Sequence, residues 1–187
     1  MRNFLLFLFF CFGYECLNCK ENSAIVLMYH RFNEAEHPAT NISSETFEKQ
    51  MEYLKKNNFN VLPTSFLVPF FKKEIKLPKK SVFITVDDAY RSVYDFAYPI
   101  LKKYNFPFSV FVSTKFVSED KKSDFMSWKM LKNLSEENVE ILNHTENHKK
   151  LINLEPSEIK EEFIVAEEKI FKNIGSVKKI TSYPYGE

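Results

Sequence analysis

Four residues at two points of the chain could bind a metal ion and activate water. Asp87 and Asp88 are adjacent, and His144 and His148 are four residues apart. Histidines at this spacing face the same way on a helical turn, so both imidazoles could reach one ion. Together with one carboxylate they leave coordination positions open for water and substrate, as a catalytic metal site requires.

Each pair of residues also has an ordinary explanation. Aspartate is common in turns, so Asp87 and Asp88 could simply belong to one, and the two histidines could be surface residues of a polar loop. Two adjacent carboxylates at the end of a buried strand would, however, be costly without a counter-charge. The three cysteines lie at positions 11, 16 and 19, so a metal site in the rest of the chain must use His, Asp or Glu.

The residues with this chemistry follow directly on predicted strands. Residues 24–29 (AIVLMY) and 81–86 (SVFITV) are continuous apolar runs, typical of strands buried on both faces. Predicted strands cover residues 24–29, 59–62, 81–86, 108–113, 139–142 and 179–183. Predicted helices cover residues 44–57 (with Ser44 as cap), 64–71, 93–104, 128–134 and 156–173, and a helical turn lies near 148–154.

The alternation of strands and helices predicts a mostly parallel sheet or barrel with helices outside. In such folds functional residues lie at the C-terminal ends of strands, where the predicted metal-binding residues are found. The length of 187 residues and the 44% hydrophobic content suit one domain with a substantial core. The net charge of +1 gives no electrostatic footprint for nucleic acid and no strong attraction to an anionic membrane.

The first 19 residues are typical of a secretion signal or an N-terminal membrane anchor. Arg2 is followed by nine apolar residues at 4–12, which are short for a membrane-spanning helix of about 20 residues. A buried strand or helix is the alternative. We therefore divide the chain into a signal or anchor at 1–19 and a folded domain at 20–187. We expect an exported protein that is extracellular, periplasmic or anchored in the cell envelope.

Three segments resemble the motifs of the polysaccharide deacetylases, carbohydrate esterases related to chitooligosaccharide deacetylases. Residues 85–90 (TVDDAY) resemble the first motif, 143–148 (NHTENH) the second and 183–186 (YPYG) the third. Their order and their places at strand ends also agree with the family. The segments LMYHR and YPILKKY, at 27–31 and 98–104, are similar to the branch that acts on poly-N-acetylglucosamine.

The resemblance implies a distorted (β/α) barrel of the polysaccharide deacetylase type. It implies that Asp87 is the general base and that Asp88, His144 and His148 bind zinc or another divalent ion such as Co²⁺. It also implies that the backbone N–H of Tyr185 helps to hold the oxyanion.

The implied function is metal-dependent hydrolysis of N-acetyl groups on a polysaccharide, such as poly-N-acetylglucosamine, a chitin-like glycan or the glycan of peptidoglycan. We expect Tyr185, His30 and Trp128 to contact this substrate, although Trp128 could equally fill the core. Two alternatives remain open. One is a carbohydrate-binding module without catalysis, and the other is an esterase acting on O-acetyl sugars at the same site.

The sequence departs from the family pattern at three places. Ala89 replaces the usual glycine, which is tolerable if the backbone there has a negative φ. Ser182 stands where many members have an arginine that pairs with the base. The chain ends directly after the third motif, so we expect a C-terminally incomplete domain without the family's last strands and its Leu-x-His general acid.

Overall fold

The computed structural model describes residues 23–187. The predicted signal or anchor at 1–19 lies outside the described residues. Within residues 23–187, none of the helices combines the length and the apolarity needed to cross a membrane.

The described chain alternates strands and helices, as predicted. Its strands are β1 (Ala24–Tyr29), β2 (Arg31–Phe32), β3 (Asn41–Ile42), β4 (Asn60–Val61), β5 (Ser81–Asp87), β6 (Phe108–Val112) and β7 (Val139–Asn143). Its α-helices are α1 (Ser44–Lys56), α2 (Leu67–Phe71), α3 (Tyr98–Tyr104), α4 (Trp128–Ser135) and α5 (Pro156–Ile174). Short 3₁₀ turns lie at Thr64–Phe66, Leu151–Asn153 and Pro184–Gly186.

A five-stranded sheet, parallel throughout, forms the centre of the fold. Strands β1, β4 and β6 all pair with β5, and β7 pairs with β6. Every residue of β5 and β6 is buried, as expected for parallel strands covered on both faces. The two-residue strands β2 and β3 form a separate parallel ribbon. The predicted class of fold, a parallel sheet with helices around it, is confirmed.

Strand β1 has the predicted bounds but not the predicted burial. Ile25, Val26 and Met28 are 50%, 49% and 62% exposed, although the apolar run predicted burial on both faces. The reason is position, because β1 is an edge strand whose described partner is β5 alone.

Helix α1 has an apolar stripe and begins at a side-chain cap. In α1 the buried residues are Phe47, Met51 and Leu54, and the N-cap is Ser43 rather than the predicted Ser44. The side chain of Ser43 accepts a hydrogen bond from the backbone N–H of Thr46.

Helix α5 has a sharp beginning and a sharp end. Pro156 occupies its first turn, and Glu155 and Glu158 form a reciprocal capping box. Gly175 ends the helix in a left-handed conformation, with φ of 90°. These signals set the first and last residues of α5, and the helix packs against β7.

Two predicted elements differ from what the structure contains. The predicted helix at 93–104 begins as a π-helical turn at Val93–Ala97, and α3 starts only at Tyr98. Pro99 has no N–H to bond to the carbonyl four residues earlier, which favours a widened turn there. The predicted strand at 179–183 is reduced to one parallel bridge between Thr181 and Asn143, and Pro184 follows it without a donor for further pairing.

Candidate metal and catalytic site

A cleft of about 720 Å³ lies at the C-terminal ends of β1, β5 and β7. This edge of the sheet is where the sequence predicted the functional residues. The cleft brings together Asp87, Asp88, His144, His148 and Tyr185, which were predicted separately from three segments. The other lining residues are Met28, His30, Thr40, Tyr90, Phe116, Phe125, Ser182, Tyr183 and Gly186.

The two aspartates stand at the point where the chain leaves β5. Asp87 is the last residue of the strand, and its side chain and that of Asp88 are buried. Asp88 and Ala89 have φ values of 70° and 60°, so both adopt a left-handed conformation. We expected alanine in place of the usual glycine to be tolerable if Ala89 had a negative φ, and its φ is positive. Alanine is disfavoured in this region because its Cβ crowds the following carbonyl oxygen.

Replacing Ala89 with glycine should change the free energy of unfolding by less than about 1 kcal/mol. Relief of about 1–2 kcal/mol of backbone strain offsets about 0.8 kcal/mol for the buried methyl group and about 0.4–1 kcal/mol for greater freedom of the unfolded chain. Ala166→Gly, at an equally buried position inside α5, should lose about 1.3–1.8 kcal/mol because no strain is relieved there. Urea denaturation of both variants measures the contrast. Equal losses would show that Ala89 is not strained.

The two histidines converge without the helical turn that their spacing predicted. Residues 144–148 form an irregular loop after β7, in which Thr145 and His148 have φ values of 70° and 54°. The imidazole centroids are nevertheless 5.0 Å apart. The Nε2 atoms of His144 and His148 lie 3.5 Å and 3.1 Å from Oδ1 of Asp88. The prediction that these side chains could share one ion therefore stands, but its local structural reason was wrong.

The protonation of His144 suits metal binding. Its Nδ1 lies 2.9 Å from the carbonyl oxygen of Ser182, which can only accept, so Nδ1 carries the proton. Burial lowers the pKa of His144 to about 4, so the ring is neutral at physiological pH. Its Nε2 therefore presents a lone pair toward a carboxylate oxygen. Two facing lone pairs repel unless a cation lies between them.

The carboxylate of Asp88 also fits a ligand role. Its Oδ1 is buried and accepts no hydrogen bond from the described residues. Burial alone would raise the pKa of Asp88, but His148 and the other nearby histidines outweigh it and lower the pKa. An ionised oxygen beside two imidazoles, buried and without a donor, is the donor set expected for zinc or a similar divalent ion.

Asp87 has a different environment from its neighbour. Burial, followed by the negative charge of Asp88, raises the pKa of Asp87 to about 7. Its Oδ2 accepts a long hydrogen bond from Ser182 Oγ, at 3.3 Å, and its Oδ1 is buried with no donor among the described residues. Ser182 thus occupies the position of the family's arginine and still contacts Asp87, although without a charge.

Tyr185 lines the same cleft, next to His148. Its backbone is left-handed, with φ of 60°, inside the 3₁₀ turn at Pro184–Gly186. Its ring is 62% exposed and packs edge-on to the His148 ring, with centroids 4.7 Å apart. His30, at the end of β1, also lines the cleft. Trp128 does not; it packs partly against the hydrophobic core, so we no longer assign it to substrate binding.

An aromatic wall of Tyr90, Phe125 and Phe116 lines the cleft beside the metal-binding residues. The Tyr90 and Phe125 rings stack at 4.9 Å, and the Phe125 and Phe116 rings stack at 5.1 Å. The guanidinium of Arg31 lies 3.5 Å above the Tyr90 ring. Sequence reasoning missed Phe116 and Phe125, since they belong to a segment between elements and no spacing links them to the motifs.

A second group of possible ligands, Glu34, Glu36 and His37, lies away from this cleft. Glu36 and His37 are exposed, so water can solvate them and nothing about their placement requires an ion.

Comparison with known proteins agrees with this arrangement of residues. Residues 74–187 match the sequence profile of the family described as polysaccharide deacetylase. The chain is 32% identical over 195 residues to a poly-β-1,6-N-acetyl-D-glucosamine N-deacetylase of Staphylococcus aureus. That alignment covers 91% of this chain and 67% of the relative.

Two solved structures share the fold. IcaB from Ammonifex degensii superposes with a TM-score of 0.79 at 27% identity, covering 89% of this chain and 76% of that one. The Streptococcus pyogenes deacetylase PplD, solved in complex with acetate, gives a TM-score of 0.79 at 24% identity. It covers 88% of this chain and 74% of its own. These superpositions agree with the predicted deacetylase-type (β/α) fold.

Proposed function

Because the chain belongs to the polysaccharide deacetylase family, we propose that it removes N-acetyl groups from a β-linked N-acetylglucosamine polysaccharide with a bound divalent metal ion. The observation that carries this proposal is the pairing of two buried carboxylates in different surroundings. Asp88 faces two imidazoles, and Asp87 stands beside them with one oxygen that has no donor among the described residues.

We assign Asp88, His144 and His148 as the ligands of the ion, with zinc as the expected metal and Co²⁺ as an alternative. When bound, a divalent ion would polarise the acetyl carbonyl and lower the pKa of a nearby water toward about 7. The carbonyl oxygen of Ser182 fixes the tautomer of His144 so that Nε2 remains available.

Asp87 is the proposed general base. Ser182 Oγ holds its Oδ2, so Oδ1 is left to accept a proton from the attacking water. A raised pKa makes Asp87 a stronger base than an exposed aspartate, whereas a cation nearby would lower that pKa again. The two effects together would keep Asp87 ionised yet able to take up a proton.

The backbone N–H of Tyr185 is the proposed second stabiliser of the oxyanion that forms on the acetyl oxygen when water adds to the carbonyl carbon. Tyr185 has a left-handed backbone within the 3₁₀ turn at Pro184–Gly186, and its ring packs against the His148 ring. A backbone donor is suited to this role because it needs no reorganisation when the negative charge develops.

A saccharide substrate fits the lining of the cleft. The rings of the aromatic wall give the cleft an apolar lining that suits the C–H groups of a pyranose ring, and the balanced charge of the chain favours a polymer without strong charge. The activity named for the S. aureus relative makes poly-β-1,6-N-acetylglucosamine the first polymer to test. The basic residue and apolar run at 2–12 support the further proposal that the chain is exported and acts outside the membrane or anchored to it.

We expect the zinc-loaded protein to release acetate from β-1,6-linked N-acetylglucosamine oligomers, and to lose this activity when a chelator removes the metal. Acetate is measured enzymatically, and the free amines formed are counted with an amine-reactive dye. Chitin oligomers with β-1,4 links and O-acetylated xylan serve as matched substrates. If acetate were released from O-acetylated xylan alone, the protein would be an esterase rather than an amide hydrolase. If the oligomers bound without any release of acetate, the result would favour a non-catalytic module.

A further inference from the structure

Glu162 is a buried carboxylate on α5 that the proposed chemistry does not use. It is only 4% exposed, whereas glutamate is rarely buried unless it is paired. It faces the ligand loop, which we define as residues 144–148, rather than the cleft itself. A glutamate buried in this place must be stabilised by hydrogen bonds or by an opposite charge.

Glu162 binds the ligand loop through three hydrogen bonds. Its Oε2 accepts from the backbone N–H of Asn147 at 2.7 Å, and its Oε1 accepts from the Asn147 side-chain amide at 2.8 Å. Its backbone carbonyl accepts from the N–H of Glu146 at 3.0 Å. The ammonium of Lys149 lies 3.4 Å from Oε1, at a half-exposed position. One residue of α5 therefore holds the two loop residues that immediately precede His148.

The ligand loop needs support from outside because its own backbone is unfavourable. Thr145 and His148 both adopt left-handed φ values, which are uncommon for residues other than glycine and are most unfavourable for the β-branched Thr145. Inside the loop, the N–H of His148 bonds to the hydroxyl of Thr145. The backbone N–H groups of Thr114 and Lys115 bond to the carbonyls of Thr145 and Glu146 and so hold the first part of the loop. The described hydrogen bonds of Asn147, which directly precedes His148, go to Glu162.

We propose that Glu162 is a positioning residue that holds His148 in metal-binding geometry by clamping Asn147. The inference rests on the proposed function, because it assumes that His144 and His148 bind the ion. Ligand atoms must be held within about 0.5 Å of their places, and loss of a group that orients a ligand typically costs about 10–100-fold in metal affinity. Glu162 does not touch the substrate, so its effect passes through the loop.

The test is the zinc affinity of Glu162→Gln, measured by competition with a chromophoric chelator. Glutamine has the same shape, but its NH₂ group cannot accept from Asn147, so one of the two clamping bonds is lost. We expect Glu162→Gln to bind zinc at least about 10-fold more weakly than the wild-type protein does. The kcat measured at saturating zinc should return toward the wild-type value, because Asp87 and Tyr185 are untouched.

Two control variants on the same helix separate positioning from general destabilisation. Glu161→Gln makes the same chemical change at the exposed neighbouring position and should leave zinc affinity unchanged. Ala166→Gly lowers the melting temperature of the metal-free protein through α5 without touching Asn147, and it too should bind zinc normally. A double variant of Glu162→Gln with Asn147→Ala should lose less affinity than the two single losses combined, because both remove the same contact.

The possible outcomes distinguish this inference from the proposed function. Unchanged zinc affinity in Glu162→Gln, with wild-type protein that binds zinc and releases acetate, overturns the positioning role alone. A loss of affinity in Ala166→Gly as large as that in Glu162→Gln would also overturn it, since loosening of α5 would then be sufficient. Wild-type protein that binds no zinc would overturn both proposals.

Discussion

Asp87→Asn should slow acetate release by about 10²–10⁴-fold, while zinc affinity stays within a few-fold of the wild-type value. Asparagine keeps the shape of the side chain and can still accept from Ser182 Oγ, so the site should remain assembled. It cannot take a proton from water. The loss should therefore be seen in kcat at saturating zinc, and KM for the oligomer should change little.

The matched control is Asp95→Asn, which makes the same change of charge at an exposed position. It should leave acetate release unaffected, because Asp95 pairs only with Arg91 on the surface. The metal-free Asp87→Asn protein should be at least as stable as wild type near neutral pH, since an unpaired buried carboxylate has been removed. Wild-type rates in Asp87→Asn would remove Asp87 as the base.

Continuous apolar runs predicted the central strands well. Strand β5 was placed to within one residue, because a parallel strand buried on both faces needs mostly apolar residues. Strands β6 and β7 were also placed to within one residue, although Ser109 and Glu140 interrupt their apolar runs. The same pattern in β1 predicted its bounds and failed for its burial. Hydrophobicity is a property of the segment, whereas burial depends on distant elements that pack over it.

The sequence predicted that the proposed metal ligands lie close together, because each follows a strand whose C-terminal end lies at one edge of the sheet, and the structure places them in one cleft. The conformation of the ligand loop could not be predicted. The left-handed φ of Thr145 has no signal in its residue type, since β-branched residues rarely adopt it, and histidine, although enriched at positive φ, adopts it too seldom for His148 to be predicted so. The positive φ of Ala89 could not be predicted either, because alanine rarely adopts this conformation.

Contacts between distant segments account for the remaining misses. Ser182 reaches Asp87 across 95 positions of sequence, and Glu162 of helix α5 reaches Asn147 in the ligand loop. The sequence marked Ser182 as a departure from the family pattern, but its hydroxyl–carboxylate contact follows only from the fold. The helical pattern of α5 gave no reason to single out one buried glutamate among several exposed ones.

His148→Ala should weaken zinc binding by more than about 100-fold, since loss of a direct ligand must exceed the effect of losing a group that only orients one. Only Asp88 and His144 would then remain to hold the ion. Activity should fall in step with metal occupancy and recover in part at high zinc, because Asp87 is still present. This behaviour differs from Asp87→Asn, in which turnover is lost at full occupancy.

His37→Ala provides the control for His148→Ala. His37 is exposed in the loop near Glu34 and Glu36, the second group of possible ligands, and its loss should leave both zinc affinity and acetate release unchanged. Chelator competition and acetate release are measured across a zinc titration for both variants. If His148→Ala bound zinc as wild type does while His37→Ala did not, the ion would belong to the exposed group. Asp88 would then be a buried carboxylate without a metal, and the division of roles between the two aspartates would have to be abandoned.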